Sequence, residues 1–520
     1  MTQNKLIKNS LIIIILTIIG KILAFIRDAL IASKFGMSYA TDIYMFSLGV
    51  VYLLTTISYG LTTTFIPIHS DFIEKKDKEE RNKFVNNVTN VTTLYTTVII
   101  VIGIVFAYFI VMIFAPGFKA NPKVFSDSVY ITRIMLLSLV FVSLQSVFTG
   151  VLQAHNEFFE PSAMATISNV VYIFYLVFFA KQFGIVGFAW ATVLAFLAQF
   201  AINVPKYRML GYGYRPVLDF KDESLKKLII LMIPVIISTS TAQLSLFANR
   251  FFATTIYEGA VSALDFANKL NSLVYEVFAV AISMVVYPSL SSFIAKDNKL
   301  EYKKSLIRAV NIILLIMVPA AVAMAILRVP IISIIFKRGA FDSNAVMITG
   351  SALLFYCPAM IAYGVRDLLN KAFYSIKDTK TPMVNSLIGV VINIVLNYIL
   401  VRFMHVAGLT FATSISAIVT TIALIYILNR KINGLDIKSM CTTFTKILAA
   451  SAFMGICIWF INNIIIRYLG DSLKTNIMIV GVSAILGGAI YLVAINMFNI
   501  KEFKDLTSMA KRKLLKARNS

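Results

Sequence analysis

The sequence predicts an all-α polytopic membrane protein with fourteen transmembrane helices, arranged as two six-helix lobes related by a parallel repeat and followed by two further helices. Three observations predict it. Of 520 residues, 59% are hydrophobic and only 14% charged, and mean hydropathy is +0.82, beyond what a water-soluble core absorbs. Apolar runs of about 20 residues, long enough to cross ~30 Å of hydrocarbon as a helix, recur along the whole chain. Segments of the first half also reappear, in order, in the second.

In chain order the apolar runs fall near 11–32, 42–67, 90–113, 129–152, 162–180, 184–204, 228–254, 261–290, 306–327, 345–369, 383–401, 408–428, 443–466 and 475–498. Lys5 and Lys8 before the first run mimic a signal peptide. The run continues through Arg27 without a small-residue cleavage site, so it reads as an uncleaved first helix. The segments 74–83, 206–227, 296–308, 371–382, 429–442 and the tail from Lys501 hold most of the 48 Lys and Arg. Alternate connections are therefore basic, which by the positive-inside rule makes both termini cytoplasmic. The net charge of +23 is then largely topology, with no call for nucleic acid, and the tail 511–520 suits anionic lipid head groups.

The repeat sets the domain boundaries. FIRDALIASKFG (25–36) aligns with FANRFFATTIYEG (247–259), placing Arg27 on Arg250, Gly36 on Gly259 and Asp42 on Asp265 at an offset of 223. QAHNEFFEP (153–161) pairs with YSIKDTKTP (374–382), and VGFAWAT (186–192) with AGLTFAT (407–413). Six spans per copy is an even number, so both copies enter the membrane the same way round. The expected domains are 1–222, 223–435, 436–500 and a basic tail, 501–520. A ligand would bind at the interface between the halves.

Charge at membrane depth marks the candidate site. A cation or carboxylate there costs at least about 2.5–3.5 kcal/mol, yet Lys21, Arg27 and Asp28 stand in the first apolar run, and Asn249, Arg250, Asp265 and Lys269 recur near the seventh and eighth. A substrate-binding cavity lined mainly by cations follows. The competing readings are an Arg27–Asp28 structural pair and an Arg250–Asp265 pair that fastens two helices. Arg133, Arg366 and Asp367 lie toward helix ends as interfacial anchors. His69, His155 and His405 are solitary near loops, Asp378 suits a cap or loop clamp, and Asn169, Asn393 and Asn397 suit interhelical hydrogen bonds. Cys357, Cys441 and Cys457 lack metal-like spacing. There is no GxxxxGK[ST] loop and no catalytic constellation, so the chain reads as a transporter without cofactor and not as an enzyme.

GKILAFIRDALIASKFG (20–36), YATD (39–42), FAPGF (114–118), GVLQAH (150–155), FKRGAFD (336–342), AFYSIKDTKTP (372–382) and GLTFATSIS (408–416) together resemble the MurJ (MviN) lipid II flippase family of the multidrug/oligosaccharidyl-lipid/polysaccharide (MOP) exporter superfamily. The resemblance implies a fourteen-helix protein of the bacterial cytoplasmic membrane. Such a protein moves the undecaprenyl-pyrophosphate-linked peptidoglycan precursor, lipid II, from the inner to the outer leaflet, with membrane lipids and cell-wall synthesis proteins as further partners. It places the family's cavity cations on Lys21, Arg27 and Lys269, with acidic partners Asp28 and Asp42. Two of the three cations are Lys where many members carry Arg, which keeps charge and loses bidentate geometry.

On the second helix the family's basic pair is replaced by LLTTISYG (53–60), so Thr55 and Thr56 offer hydroxyls instead. The family's sodium ligands fall on Asn249, Asn393, Asn397 and Thr413; amides hold a hard cation less firmly than carboxylates, which implies at most a weak site. These departures suggest a divergent member, and they leave open another undecaprenyl-pyrophosphate-linked oligosaccharide as cargo. An ion-coupled drug exporter would need more buried carboxylates than this chain offers. A scaffold for envelope assembly would leave the buried charge unexplained.

Overall fold

The computed structural model describes residues 3–504 and Ser508, with side chains from residue 12 onward except at 238. The side chains of Lys5 and Lys8 and the basic stretch 511–520 lie outside the described residues. Among the described residues every regular element is helical. The chain forms two compact units, one of residues 1–262 with 338–342, the other of 263–337 with 343–520.

The first unit holds α1 (Gln3–Phe35), α2 (Tyr39–Lys75), α3 (Lys78–Val105), α4 (Ala107–Phe114), α5 (Pro122–Leu136), α6 (Ser138–Ala154), α7 (Phe159–Phe178), α8 (Ala180–Met209) and α9 (Glu223–Thr254). Next comes α10 (Ala260–Tyr275), whose first turn belongs to this unit and whose remainder belongs to the second. There follow α11 (Ala281–Ala295), α12 (Lys299–Ile326), α13 (Arg328–Phe336), α14 (Ser343–Ser375), α15 (Lys380–Lys431), α16 (Ile437–Leu469) and α17 (Leu473–Met497).

Among the described residues eleven helical stretches are long and apolar enough to cross a membrane, or twelve with the bent α9 counted as one. The 52 residues of α15 would extend about 78 Å at 1.5 Å per residue, well over twice the hydrocarbon thickness. His405 breaks it with a left-handed φ of 51°, giving two crossings where 383–401 and 408–428 are expected. With that division, and with α1 added, the described helices are consistent with fourteen crossings.

Caps set several helix starts. Asp77 accepts the Glu80 amide, Asp222 the Ser224 and Leu225 amides, Asn298 the Glu301 amide and Asp436 the Ser439 amide, each satisfying N–H groups that lack an intrahelical partner. The charged segment 74–83, read from sequence as a loop, is almost wholly helical: α2 runs to Lys75 and α3 begins at Lys78. Charge excludes a segment from lipid but does not break a helix, so both helices simply continue past the apolar run.

The first unit is held at one end by an aromatic and aliphatic cluster that includes Phe65, Phe84, Val147, Tyr207 and Tyr212. Beside it, residues 211–219 run without regular structure along α3 and are clasped by asparagines of that helix. Asn82 donates to the Gly211 carbonyl and accepts from the Gly213 amide, and Asn86 donates to the Gly213 carbonyl and accepts from the Arg215 amide. Asn87 exchanges both bonds with Asp219, while Asn90 donates to the Arg215 and Val217 carbonyls. Side-chain amides thus supply the partners that a neighbouring strand would otherwise give.

Candidate substrate site

Arg27 of α1 faces α7. Arg27 Nε and Nη2 lie 3.0 and 2.9 Å from Asp28 Oδ1, Nη1 donates to Asn169 Oδ1 at 2.9 Å, and the guanidinium stands 5.4 Å from the Tyr172 ring centroid. Asn169 also donates to the carbonyls of Gly20 and Ala165, which orients its oxygen toward the arginine. A guanidinium has five N–H groups, and these contacts engage three. Two remain, on a side chain only 22% exposed, beside a carboxylate that is 8% exposed. Lys21 is exposed on the same helix.

Arg250, on α9, is buried and reaches α2 at Gly49, where a Cβ would lie 2.3 Å from its Nη1. The glycine is what admits the guanidinium. Tyr52, one turn further along α2, lies within electrostatic reach of Arg27, Arg250 and Asp28. Arg27 and Arg250, paired by the repeat, both lie inside the first unit.

Other predicted site residues have local roles. Thr55 and Thr56 are buried and donate to the carbonyls of Tyr52 and Leu53, and Thr56 accepts from the Ser240 hydroxyl of α9. Asp42 Oδ2 and Oδ1 accept the amides of Gly259 and Ser262 at 2.7 and 2.8 Å, so this carboxylate holds the first turn of α10. Asn249 is buried in the first unit. In the second, Lys269 Nζ stands 5.6 Å from the Phe266 ring centroid. There Asn397 donates to Asn393 and Asn393 to Thr413, a chain of amides and a hydroxyl across the two parts of α15. Among the described residues no three His, Cys, Asp or Glu side chains group as a metal site.

Sequence reasoning did not assign Gly49, Tyr52, Tyr172 and Ser240 to the site. Gly49 alone carried a legible signal, as a small residue within an apolar helix where another helix approaches closely. The repeat has a conformational counterpart: Gly36 and Gly259 both take left-handed φ values, 63° and 87°. Its loops make equivalent contacts. Gly117 abuts the Thr254 carbonyl at the end of α9, and Gly339 abuts the Ser33 carbonyl near the end of α1, where the Ala340 amide also donates.

This architecture is similar to solved transporters. A lipid II flippase MurJ in an inward closed conformation superposes with a TM-score of 0.80 at 24% identity, over 96% of this chain and 100% of that one. An inward-facing multidrug resistance MATE family transporter of the MOP superfamily gives 0.68 at 15% identity, over 79% and 94%. The fold is that of a multi-pass helical membrane protein, similar to the fold of these transporters. A sequence model of the lipid II flippase MurJ family matches residues 31–479. The probable lipid II flippase MurJ of Buchnera aphidicola subsp. Acyrthosiphon pisum is 30% identical over 84% of this chain and 85% of its own length. The lipid II flippase MurJ of Burkholderia cenocepacia is 27% identical over 78% and 81%. The chain belongs to the lipid II flippase MurJ family.

Proposed function

We propose that the protein flips lipid II, an undecaprenyl-pyrophosphate-linked peptidoglycan precursor, from the inner to the outer leaflet of a bacterial cytoplasmic membrane by alternating access, with both termini cytoplasmic. The observation that carries this reading is the family match across residues 31–479, which includes the Asn169, Tyr172 and Arg250 part of the candidate site. The two uncommitted N–H groups of Arg27 fit a phosphate oxygen through charge-assisted hydrogen bonds. Arg250, buried against Gly49 of α2, adds a second guanidinium in the same unit. Asp28 and Asn169 orient Arg27, and Lys21 and Lys269 contribute charge. Thr55 and Thr56 in place of the family's basic pair favour a second reading, transport of a different undecaprenyl-pyrophosphate-linked saccharide.

Complementation of a strain depleted of its lipid II flippase tests the proposal. Restored growth together with lipid II reaching the outer leaflet supports it. Growth failure by an inserted, abundant protein that flips another polyprenyl-linked saccharide in vesicles would establish the second reading instead.

A further inference from the structure

Residues 210–222 join the end of α8 to the start of α9 and so connect the two repeats read from the sequence. The connection after the second repeat, 432–436, is less than half as long. The longer one is bound to α3 in register. Asn82 bonds Gly211 and Gly213, Asn86 bonds Gly213 and Arg215, and Asn90 bonds Arg215 and Val217, each time through main-chain groups of the linker and at 2.8–3.3 Å. Four helical residues rise about 6 Å, and two residues of an extended chain span about 6.6 Å. Asparagines at every fourth position of a helix therefore meet every second residue of an extended segment. Pro216, which has no N–H to offer, stands at a position that this ladder skips. Only backbone is recognised, and of the large side chains Tyr212 is buried while Tyr214, Leu218 and Phe220 are exposed. A segment held by polar bonds that water can replace, with little buried apolar surface, opens without unfolding its surroundings.

We propose that the asparagine ladder of α3 is a reversible dock that sets the reach of the connection between the repeats, and that the transport cycle requires its release. This rests on the flippase reading and adds what the connection does during alternating access. In the docked state Asn87 exchanges two bonds with Asp219 and fixes it on α3. Only four residue steps lead from Asp219 to Glu223, the first residue of α9, so the start of that helix stays within about 14 Å of the fixed point. In the released state fourteen steps lead from Met209, the last residue of α8, to Glu223, and they permit about 50 Å. The dock thus holds the first helix of the second repeat beside α3 of the first, and release lets the two part. The slack is present only where two repeats meet: residues 432–436 suffice to join α15 to α16.

The test uses the full-length protein with Cys357→Ser, Cys441→Ser and Cys457→Ser, in vesicles carrying fluorescent lipid II. Arg215 Nη1 of the linker lies 3.0 Å from Glu79 Oε1 of α3, and both side chains are exposed, so this pair contributes little to stability. Glu79→Cys with Arg215→Cys, bridged by a reducible bis-methanethiosulfonate reagent, fixes the linker on α3. Bridging is expected to slow flipping at least about tenfold, with recovery on reduction, while either single cysteine variant given the same reagent flips as wild type. Flipping by the bridged protein at the reduced protein's rate overturns the dock and leaves the flippase reading intact. Wild type that flips no lipid II overturns that reading and the dock with it. Should the unbridged double variant not flip, Asn86→Ala with Asn90→Ala decides. Flipping at or above the wild-type rate supports a dock that must open, whereas a severalfold loss at normal abundance shows a merely structural clasp and overturns it.

Discussion

Gly49 and Arg250 share one space: α2 leaves out a side chain at the place where the α9 guanidinium lies, and a Cβ there would come 2.3 Å from Nη1 and 3.2 Å from Cδ and Cζ. The far end of an arginine can swing away from such a clash at small cost, so Gly49→Ala should displace the charge without unfolding the protein. The expected loss of stability is below about 1 kcal/mol, with complementation reduced severely. Thermal unfolding and growth, measured on the same variant, check the pair. A Gly49→Ala protein that complements as wild type would show that the position of Arg250 does not matter.

Arg27 should be the least replaceable cation. Its planar fork spans Asp28 and Asn169 together, which a lysine ammonium cannot do. Arg27→Ala removes one partner of a largely buried pair with Asp28, and losing one partner of such a pair costs about 3–5 kcal/mol. Arg27→Lys and Arg27→Ala should both fail to complement. Pairing Arg27→Ala with Asp28→Asn should recover abundance but not transport. Lys21→Ala and Lys269→Ala should abolish transport at normal abundance, and Lys21→Arg should be tolerated. Normal transport by all the alanine variants would dispose of the cationic site.

Much of this was legible in the sequence because the signals are local or periodic. Span lengths follow from apolar runs, the break at His405 falls between two of them, and the matched Gly36 and Gly259 share a backbone conformation. Long-range polar partnerships were not legible. Asp42 could be read as a cavity acid because nothing in YATD announces that its carboxylate binds amides 217 and 220 residues away. Asn82, Asn86 and Asn90 have a visible four-residue spacing on one helix face, yet their partner is an irregular segment whose course no periodicity encodes. The charge of 74–83 marks it as outside the lipid and says nothing of helix, whereas Asp77 caps the start of a new helix there.

The asparagine clasp gives a prediction about dynamics. Each of Asn82 and Asn86 makes two hydrogen bonds with residues 211–215, worth about 1 kcal/mol apiece net. Asn86→Ala should therefore ease local opening by about 2 kcal/mol, roughly a thirtyfold rise in amide exchange across 211–219, with the remainder of α3 unaffected. Exchange no faster than wild type would mean that other contacts hold the segment.

For ions, Asn393, Asn397 and Thr413 bond to one another, and they offer neutral oxygens where a hard cation prefers carboxylates. Transport in reconstituted vesicles should thus continue when potassium replaces sodium. Activity that disappears in potassium and returns with sodium alone would reverse this.

The same segment should respond to pH through His155. The Tyr212 hydroxyl lies 2.8 Å from both His69 Nε2 and His155 Nε2. One hydroxyl proton serves one acceptor, so one imidazole accepts from Tyr212 and the other donates to it. Burial pushes the Tyr212 hydroxyl up to about 12 against the pull of Arg81, so it stays protonated at physiological pH. Burial, then the positive charge of Arg81, hold the His155 pKa below its usual 6.5, with Glu157 opposing; Glu157 is itself paired with Lys206 at 3.1 Å. A histidine depressed in the closed form binds its proton more readily once the segment opens. Its contribution is therefore complete above the usual histidine range and declines as pH falls through about 6.5, by no more than about tenfold in the opening equilibrium per pH unit. Amide exchange across 211–219, corrected for intrinsic rates, should accelerate between about pH 7.5 and 5, and His155→Gln should reduce the dependence. Opening that is independent of pH in the wild type would remove His155 from the clasp.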